Sequence, residues 1–187
     1  DLNPNWHLLG HSMGGGTVAA MALERPSRTT SLVFVDGALF QTNRDSTFLT
    51  DFPVSRRWIQ ILLEHLLIRE NRFKDFLGSA YGQEPTPVQV QGYLKPLQLK
   101  GTARAAVALL KTAKNLPEEA LKTITAPTLA LWGKEDSWVP FSDTQRLKTL
   151  MPQLQIVNIE NAGHCPMETH PEQFNKILLN WLENRNE

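Results

Sequence analysis

The pentapeptide Gly10-His11-Ser12-Met13-Gly14 is the feature that most restricts how this chain can fold. It fits the pattern Gly-x-Ser-x-Gly and joins a short apolar run at residues 6–10 to an Ala-, Met- and Leu-rich stretch at 13–24. The first run predicts a buried strand and the second a helix. A serine on so tight a turn has a strained backbone, and glycines on either side avoid clashes with the neighbouring strand and helix. The pattern therefore predicts an exposed, reactive hydroxyl at Ser12, beside a helix N-terminus.

Three further apolar runs predict strands, at residues 31–36, 128–132 and 154–159. Helical patterns follow the last two of them, at 142–150 and 168–184. Strands that alternate with helices favour a parallel sheet, because each crossover helix must return the chain to the same edge. We therefore expect an α/β fold with a mostly parallel sheet and helices on both faces.

The stretch from 38 to 115 interrupts this alternation, since it contains no convincing strand. Its helical patterns lie at residues 55–70, 71–80, 86–99 and 101–114. A helical block between two parallel strands is typical of an insertion that covers the sheet. We expect a core formed by residues 1–37 and 116–187, with the helical insertion at 38–115.

A nucleophilic serine needs a general base, because a free hydroxyl is almost fully protonated at neutral pH. His164 follows the fourth predicted strand, at the edge of the sheet where the carboxyl ends of parallel strands collect catalytic groups. We therefore predict that His164 is the base. The remaining histidines lie in the first strand, beside Ser12, in an apolar helical run and before a proline, namely His7, His11, His65 and His170.

The base in turn needs an acid that orients its ring. Asp136 follows the third strand, in the segment 132–140, and is our predicted acid. Asp36 also ends a strand and is the rival, while Glu135 is a weaker candidate. The chain order Ser12, Asp136, His164 is the order Ser…Asp…His found in one of the folds that carry this triad.

Three segments resemble landmarks of the α/β-hydrolase family. They are Gly-His-Ser-Met-Gly-Gly at 10–15, Leu-Trp-Gly-Lys-Glu-Asp-Ser-Trp-Val-Pro at 131–140 and Asn-Ala-Gly-His-Cys-Pro-Met-Glu at 161–168. The resemblance extends over the whole chain. It implies the α/β-hydrolase fold, in which the four strands are the last four of eight and residues 38–115 form the family's helical cap.

The same resemblance implies an oxyanion hole with one donor from the residue after the nucleophile, here the Met13 N–H. The family's second donor comes from a loop after its third strand, which lies outside this sequence. We therefore expect a C-terminal portion of a larger hydrolase. By itself, such a portion is expected to be poorly active and marginally soluble, because the first strand becomes an open edge.

The resemblance implies a serine hydrolase of the carboxylesterase type, which cleaves an ester, lactone or thioester of a small hydrophobic substrate. The candidate substrate-binding residues are apolar, namely Trp58, Leu62, Leu66, Phe73 and Trp138, with Ile61 and Phe76 as further candidates in the cap. Packing between cap and core is the alternative role for the cap residues among them. The family's carbon–carbon hydrolases remain an alternative, although they usually have tryptophan after the histidine, where this chain has Cys165. A ligand receptor built on the same fold is another.

Composition narrows the function further. Nineteen basic and nineteen acidic residues give a net charge of zero, which is not the profile of a nucleic-acid-binding protein. One cysteine excludes an intrachain disulfide and a multi-cysteine metal site. The apolar stretches are too short to predict a membrane span, and no leader is visible, so we expect a cytoplasmic protein. We predict no metal and no cofactor, and the oligomeric state is left open.

Overall fold

A computed structural model describes residues 5–40, 69–112 and 116–184. The strands in these residues are β1 (Trp6–His11), β2 (Thr29–Val35), β3 (Thr128–Gly133) and β4 (Gln155–Ile159). The helices that precede β3 are α1 (Met13–Glu24), α2 (Glu70–Tyr81), α3 (Pro87–Leu97), α4 (Thr102–Thr112) and α5 (Glu118–Leu121). Those that follow it are α6 (Asp143–Leu150), α7 (Pro166–Thr169) and α8 (Pro171–Glu183). A short 3₁₀ turn, Pro26–Arg28, leads into β2.

The four strands form one parallel sheet in the order β1-β2-β3-β4. Each strand pairs with the next one in the chain: Gly10 lies opposite Phe34, and Leu131 lies opposite both Val35 and Val157. Because all four strands run in the same direction, their carboxyl ends meet at one edge. The α/β fold with a parallel sheet is confirmed.

Both faces of this sheet are covered, as the alternation of side chains along β2 demonstrates. On one face Leu32 and Phe34 belong to a cluster that includes Ala19 of α1 and Leu147 of α6. On the other face Val33 and Val35 belong to a second cluster. That second cluster includes Phe174 and Trp181 of α8. Strands buried on both faces are continuous apolar runs, which is why β2 and β3 are so easily seen in the sequence.

The chain divides into two compact units. The first comprises Asp1–Phe40, Ala80–Gly82 and Asn115–Glu187, and the second comprises Gln41–Ser79 and Gln83–Lys114. The described part of the second unit is helical. Its buried side chains include Phe73 and Leu77 of α2 and Val90 and Leu94 of α3. The role of residues 38–115 as a cap stays a prediction.

The structure differs from the predicted elements mainly at the C-terminal helix. The single helix predicted at 168–184 is two helices, α7 and α8, which are separated at His170. Pro171 disfavours helical dihedrals in the residue before it, and His170 accordingly has φ −134° and ψ 52°. The short helix α5 was not predicted. The helix predicted at 55–70 lies outside the described residues except for its last two positions.

No helix in the described residues combines the length and the apolar character that crossing a bilayer requires.

The two leucines Leu147 and Leu179 give a matched test of this core. Leu147 is fully buried against the sheet, whereas Leu179 on α8 is 56% exposed. We expect Leu147→Ala to lower the free energy of unfolding by about 2–5 kcal/mol, because it removes buried methyl groups and leaves a cavity. Leu179→Ala should change it by less than about 0.5 kcal/mol. Denaturant unfolding of the two variants measures the difference, and equal losses would contradict this packing.

Candidate active site

Ser12 lies on the turn between β1 and α1 with φ 52° and ψ −124°, a region that residues other than glycine rarely occupy. Two neighbouring segments hold this conformation. The Ser12 N–H donates to the Val35 carbonyl (3.0 Å), and the Ser12 carbonyl accepts the Ala38 N–H (2.9 Å). The strained turn that the sequence predicts is therefore present, and it is tied to the end of β2.

The two glycines that flank this serine have different roles, which corrects the prediction that both avoid clashes. A Cβ at Gly10 would lie 2.3 Å from the Gly14 carbonyl oxygen and 2.7 Å from Val18. A Cβ at Gly14 would have no neighbour within 4 Å. The close approach instead involves Gly15, where a Cβ would lie 3.0 Å from Gly37 Cα. Strand and helix can meet because Gly10 has no side chain, while Gly14 is sterically unconstrained.

The structure brings the three predicted catalytic side chains within hydrogen-bond distance. His164 Nε2 lies 2.9 Å from Ser12 Oγ, and His164 Nδ1 lies 2.7 Å from Asp136 Oδ2. A carboxylate can only accept, so Nδ1 carries the hydrogen and the Nε2 lone pair faces the serine hydroxyl. His164 is 2% exposed and Asp136 is 6% exposed, whereas Ser12 is half-buried. The hydroxyl is thus the accessible end of a buried chain of hydrogen bonds.

The carboxylate of Asp136 is satisfied on both oxygens. Its Oδ1 accepts the backbone N–H groups of Trp138 (2.7 Å) and Val139 (2.9 Å), and its Oδ2 accepts from His164. Three donors offset the cost of burying this charge, since hydrogen bonds to the ionised form favour it. The loop after β3 therefore holds Asp136 as an oriented acceptor for the imidazole.

Two further contacts orient His164, and the sequence predicts neither of them. His11 Nε2 lies 2.7 Å from the His164 carbonyl oxygen and so donates to it, and the two rings are 4.8 Å apart. The His164 N–H donates to the Ala80 carbonyl (2.7 Å). A Cβ at Gly163 would lie 2.6 Å from that same carbonyl oxygen. Position after a strand predicts His164 itself, but no local pattern links residue 80 to residue 164.

The family of the chain follows from a comparison with protein-family models. The model described as "Alpha/beta hydrolase family" matches residues 1–177. The chain belongs to the alpha/beta hydrolase family. Its hydrolase relatives and the fold described above agree with this assignment.

Individual relatives and solved structures resemble this chain at modest identity. An uncharacterised hydrolase, YugF, of Bacillus subtilis is 25% identical over 94% of the chain and 64% of its own length. A 2-hydroxy-6-oxononadienedioate/2-hydroxy-6-oxononatrienedioate hydrolase of Burkholderia vietnamiensis is 29% identical over 94% of the chain and 62% of its own length. The crystal structure of a membrane phospholipase A, a bacterial virulence factor, matches with a TM-score of 0.75 and 27% identity. That match covers 100% of this chain and 59% of the phospholipase. The chain thus spans about three fifths of the length of these proteins.

The structure places the predicted substrate-binding residues differently. Trp138 is 41% exposed and its ring lies 5.3 Å from that of His164, so it is beside the imidazole. Phe73 is buried in the second unit with its ring 6.0 Å from that of Phe76, which is 41% exposed. The cap candidates Trp58, Leu62 and Leu66, together with Ile61, lie outside the described residues. A role in substrate binding stays a prediction for all of them.

Met13 is the first residue of α1, so its N–H has no acceptor within the helix. Partial positive charge at the helix N-terminus adds to that donor. Its role as an oxyanion donor stays a prediction.

The histidines that the sequence does not favour as the base, and the single cysteine, make ordinary structural contacts where the structure describes them. His7 Nδ1 lies 2.7 Å from Ser31 Oγ, and His170 Nδ1 lies 2.9 Å from Thr169 Oγ1. Cys165 is buried, and burial, followed by nearby acidic groups, raises the pKa of its thiol to about 12. Cys165 therefore stays an uncharged packing residue at neutral pH. His65 lies outside the described residues.

Two acidic groups cluster with the imidazole that contacts Ser12. One oxygen each of Asp36 and Asp136 and one ring nitrogen of His164 lie within 4.8 Å of one another. Such atoms can bind a cation, but Asp136 already accepts three N–H donors, one of them from His164. We therefore interpret the cluster as neighbouring side chains in which the rival acid, Asp36, lies next to Asp136 and His164.

Substitution of the two glycines by alanine tests the corrected account of the turn. We expect Gly10→Ala to lower the free energy of unfolding by at least about 1–3 kcal/mol, because the new Cβ meets backbone atoms that cannot move away. Gly14→Ala should change it by no more than about 1 kcal/mol, in the stabilising direction, since alanine is the better helix former. Thermal unfolding compares the two variants. A larger loss for Gly14→Ala would contradict the geometry.

Proposed function

We propose that this protein is a serine hydrolase in which Ser12, His164 and Asp136 act as nucleophile, base and acid. It cleaves a carboxylic ester-type bond, in an ester, lactone or thioester, through an acyl-enzyme. The observation that carries the proposal is the single imidazole of His164, which lies 2.9 Å from the Ser12 hydroxyl and 2.7 Å from the Asp136 carboxylate. Each of the three groups has the partner that its part in the reaction needs.

In the first half of the reaction, Ser12 Oγ attacks the carbonyl carbon of the substrate while its hydrogen moves to His164 Nε2. The imidazolium that forms carries its second hydrogen on Nδ1, toward Asp136 Oδ2. Because Asp136 is held as an anion by two backbone N–H groups, it stabilises this positive charge without moving. His164 then gives the hydrogen to the leaving alcohol or thiol, and the acyl group stays on Ser12.

In the second half, water attacks the acyl carbon and gives a hydrogen to His164 Nε2, which returns it to Ser12 as the acid leaves. Both tetrahedral intermediates carry a negative oxygen. The Met13 N–H at the start of α1 is suited to bind that oxygen, because a free helix N–H and the helix dipole both favour negative charge there.

The substrate that we propose has a small hydrophobic acyl or alkyl group. Support comes from Trp138, whose partly exposed ring lies beside His164, and from the apolar residues predicted for the cap. A hydrophobic pocket with a few polar groups is the usual form of small-molecule sites. None of the steps above requires a metal ion or an organic cofactor.

A second candidate is hydrolysis of a carbon–carbon bond. It is favoured by the relative from Burkholderia vietnamiensis, a 2-hydroxy-6-oxononadienedioate/2-hydroxy-6-oxononatrienedioate hydrolase that is 29% identical. The similar structure of a membrane phospholipase A favours the ester instead. Cys165, at the position after His164, departs from the tryptophan usual in the family's carbon–carbon hydrolases, and this keeps the ester as our first choice.

A fluorophosphonate probe tests the nucleophile. In the natural full-length protein we expect labelling at Ser12 and loss of both labelling and ester hydrolysis, by about 10⁶-fold in kcat, in Ser12→Ala. Ser142→Ala is the matched control, since Ser142 is exposed and its side chain makes no capping hydrogen bond. Labelling that persists in Ser12→Ala would overturn the proposal.

A substrate comparison separates the two reactions. We expect p-nitrophenyl esters of increasing acyl length to be turned over with a higher kcat/KM than a 2-hydroxy-6-oxo-dienoate, measured by absorbance under the same conditions. The reverse order would establish the carbon–carbon hydrolase. Tight binding of an ester with no turnover by the unmodified protein would indicate a receptor and refute both.

A further inference from the structure

Asp36 is a buried acid that the proposed reaction does not use. It directly follows β2, has φ 45° and is 0% exposed. Its Oδ1 accepts the Gly133 N–H (2.8 Å), but its Oδ2, which is also buried, has no hydrogen-bond partner as an acceptor. Within the described residues it forms no ion pair with a lysine or an arginine. An ionised carboxylate in this position would be costly, because burial penalises the charged form.

The surroundings of Asp36 indicate which of two neighbouring carboxyl groups, Asp36 or Asp136, is protonated. One oxygen of Asp36, one oxygen of Asp136 and one ring nitrogen of His164 lie within 4.8 Å of one another. Asp136 is the carboxyl group with three N–H donors, so it is the better stabilised anion of the pair. Two buried carboxylates at such a distance cannot both ionise without strong repulsion. Of the two carboxyl groups, Asp36 is therefore the one that carries a hydrogen.

The direction of the titration agrees with this geometry. Burial, followed by the nearby charge of Asp136, raises the pKa of Asp36 to about 9, although the Gly133 N–H acts in the opposite sense. Titratable groups also face the pair from the other elements. The thiol of Cys165 stays neutral, Glu168 accepts a hydrogen bond from Tyr81 (2.6 Å), and burial lowers the pKa of His11.

We propose that Asp36 is a positioning residue that acts as a neutral carboxylic acid, donating its Oδ2 hydrogen to the Asp136 carboxylate. The Oδ2 of Asp36, which has no partner as an acceptor, thereby becomes a donor. Asp136 gains a fourth hydrogen bond, which holds its carboxylate toward His164. The pair carries one negative charge beside the imidazole at neutral pH, which is the charge that a single catalytic acid needs. Only the kinetic part of this inference rests on the proposed function.

The effect of pH on stability has a definite sign. Between the ordinary pKa of an aspartate, about 4, and about 9, the folded protein holds one more hydrogen than the unfolded chain at this site. The contribution of Asp36 to stability is therefore full below about pH 4 and is lost as the pH rises toward 9. An asparagine amide has the same shape, can donate to Asp136 and accept from Gly133, and does not titrate.

The experiment compares the melting temperature of Asp36→Asn with that of the unmodified natural full-length protein from pH 5 to pH 9. We expect the advantage of Asp36→Asn to increase steadily with pH. Glu135→Gln is the control, because Glu135 is exposed in the adjacent loop. This variant should show no such increase. A difference that does not vary with pH would mean that Asp36 is already ionised, and would overturn the proposal.

Infrared difference spectra of the protein labelled with ¹³C-aspartate give a second test that needs no variant to fold. We expect the carbonyl band of a protonated carboxylic acid at pH 7, which disappears above about pH 9. Absence of that band at pH 7 would overturn the proposal.

Kinetics add a readout that a purely structural role would not change. We expect kcat/KM of the unmodified protein to fall above about pH 9, as Asp36 ionises and repels Asp136, and Asp36→Asn to lack this fall. If both proteins show the same fall, the positioning role is wrong. If Ser12→Ala keeps full activity, the proposed function fails, while melting and infrared still decide the state of Asp36.

Discussion

The parallel alignment of four strands is the constraint on which the candidate site depends. Ser12 and His164 are 152 positions apart in the chain, yet each directly follows or lies close behind the carboxyl end of a strand in one sheet. Since β1 to β4 pair in chain order and in one direction, every strand delivers its following loop to the same edge. The two hydrogen bonds that link Asp136 and Ser12 to His164 are a consequence of that alignment, and the loops then fix their geometry.

The loops that follow β3 and β4 then stabilise the charge of the buried Asp136 carboxylate. The segment after β3 turns two backbone N–H groups toward Asp136, and the segment after β4 adds the imidazole. Backbone donors are already part of the fold, so they do not have to be reoriented when charge moves to His164. Burial of Asp136 and His164 therefore strengthens their interaction.

Much of this arrangement is visible in the sequence because it rests on local patterns. Continuous apolar runs predict β2 and β3, and polar residues in the loops that follow strands point to Asp136 and His164. Other features are not visible, because they depend on contacts between distant segments. The hydrogen bond from His11 to the His164 carbonyl and the partner-less oxygen of Asp36 follow from three-dimensional packing alone. The division of the last helix at His170 was predictable in principle from Pro171, whereas the steric freedom of Gly14 was not.

The attachment of the histidine loop to residue 80 has a consequence for how this protein can diverge. The tie joins two main-chain groups, the His164 N–H and the Ala80 carbonyl, and Gly163 lies against the same stretch of backbone. Exchanges of side chains along α2 can leave such a tie intact. An inserted or deleted residue in that helix would instead displace the carbonyl by about 1.5 Å along the axis and rotate it by about 100°. An insertion or deletion in α2 therefore disturbs this tie, whereas a substitution there can leave it intact.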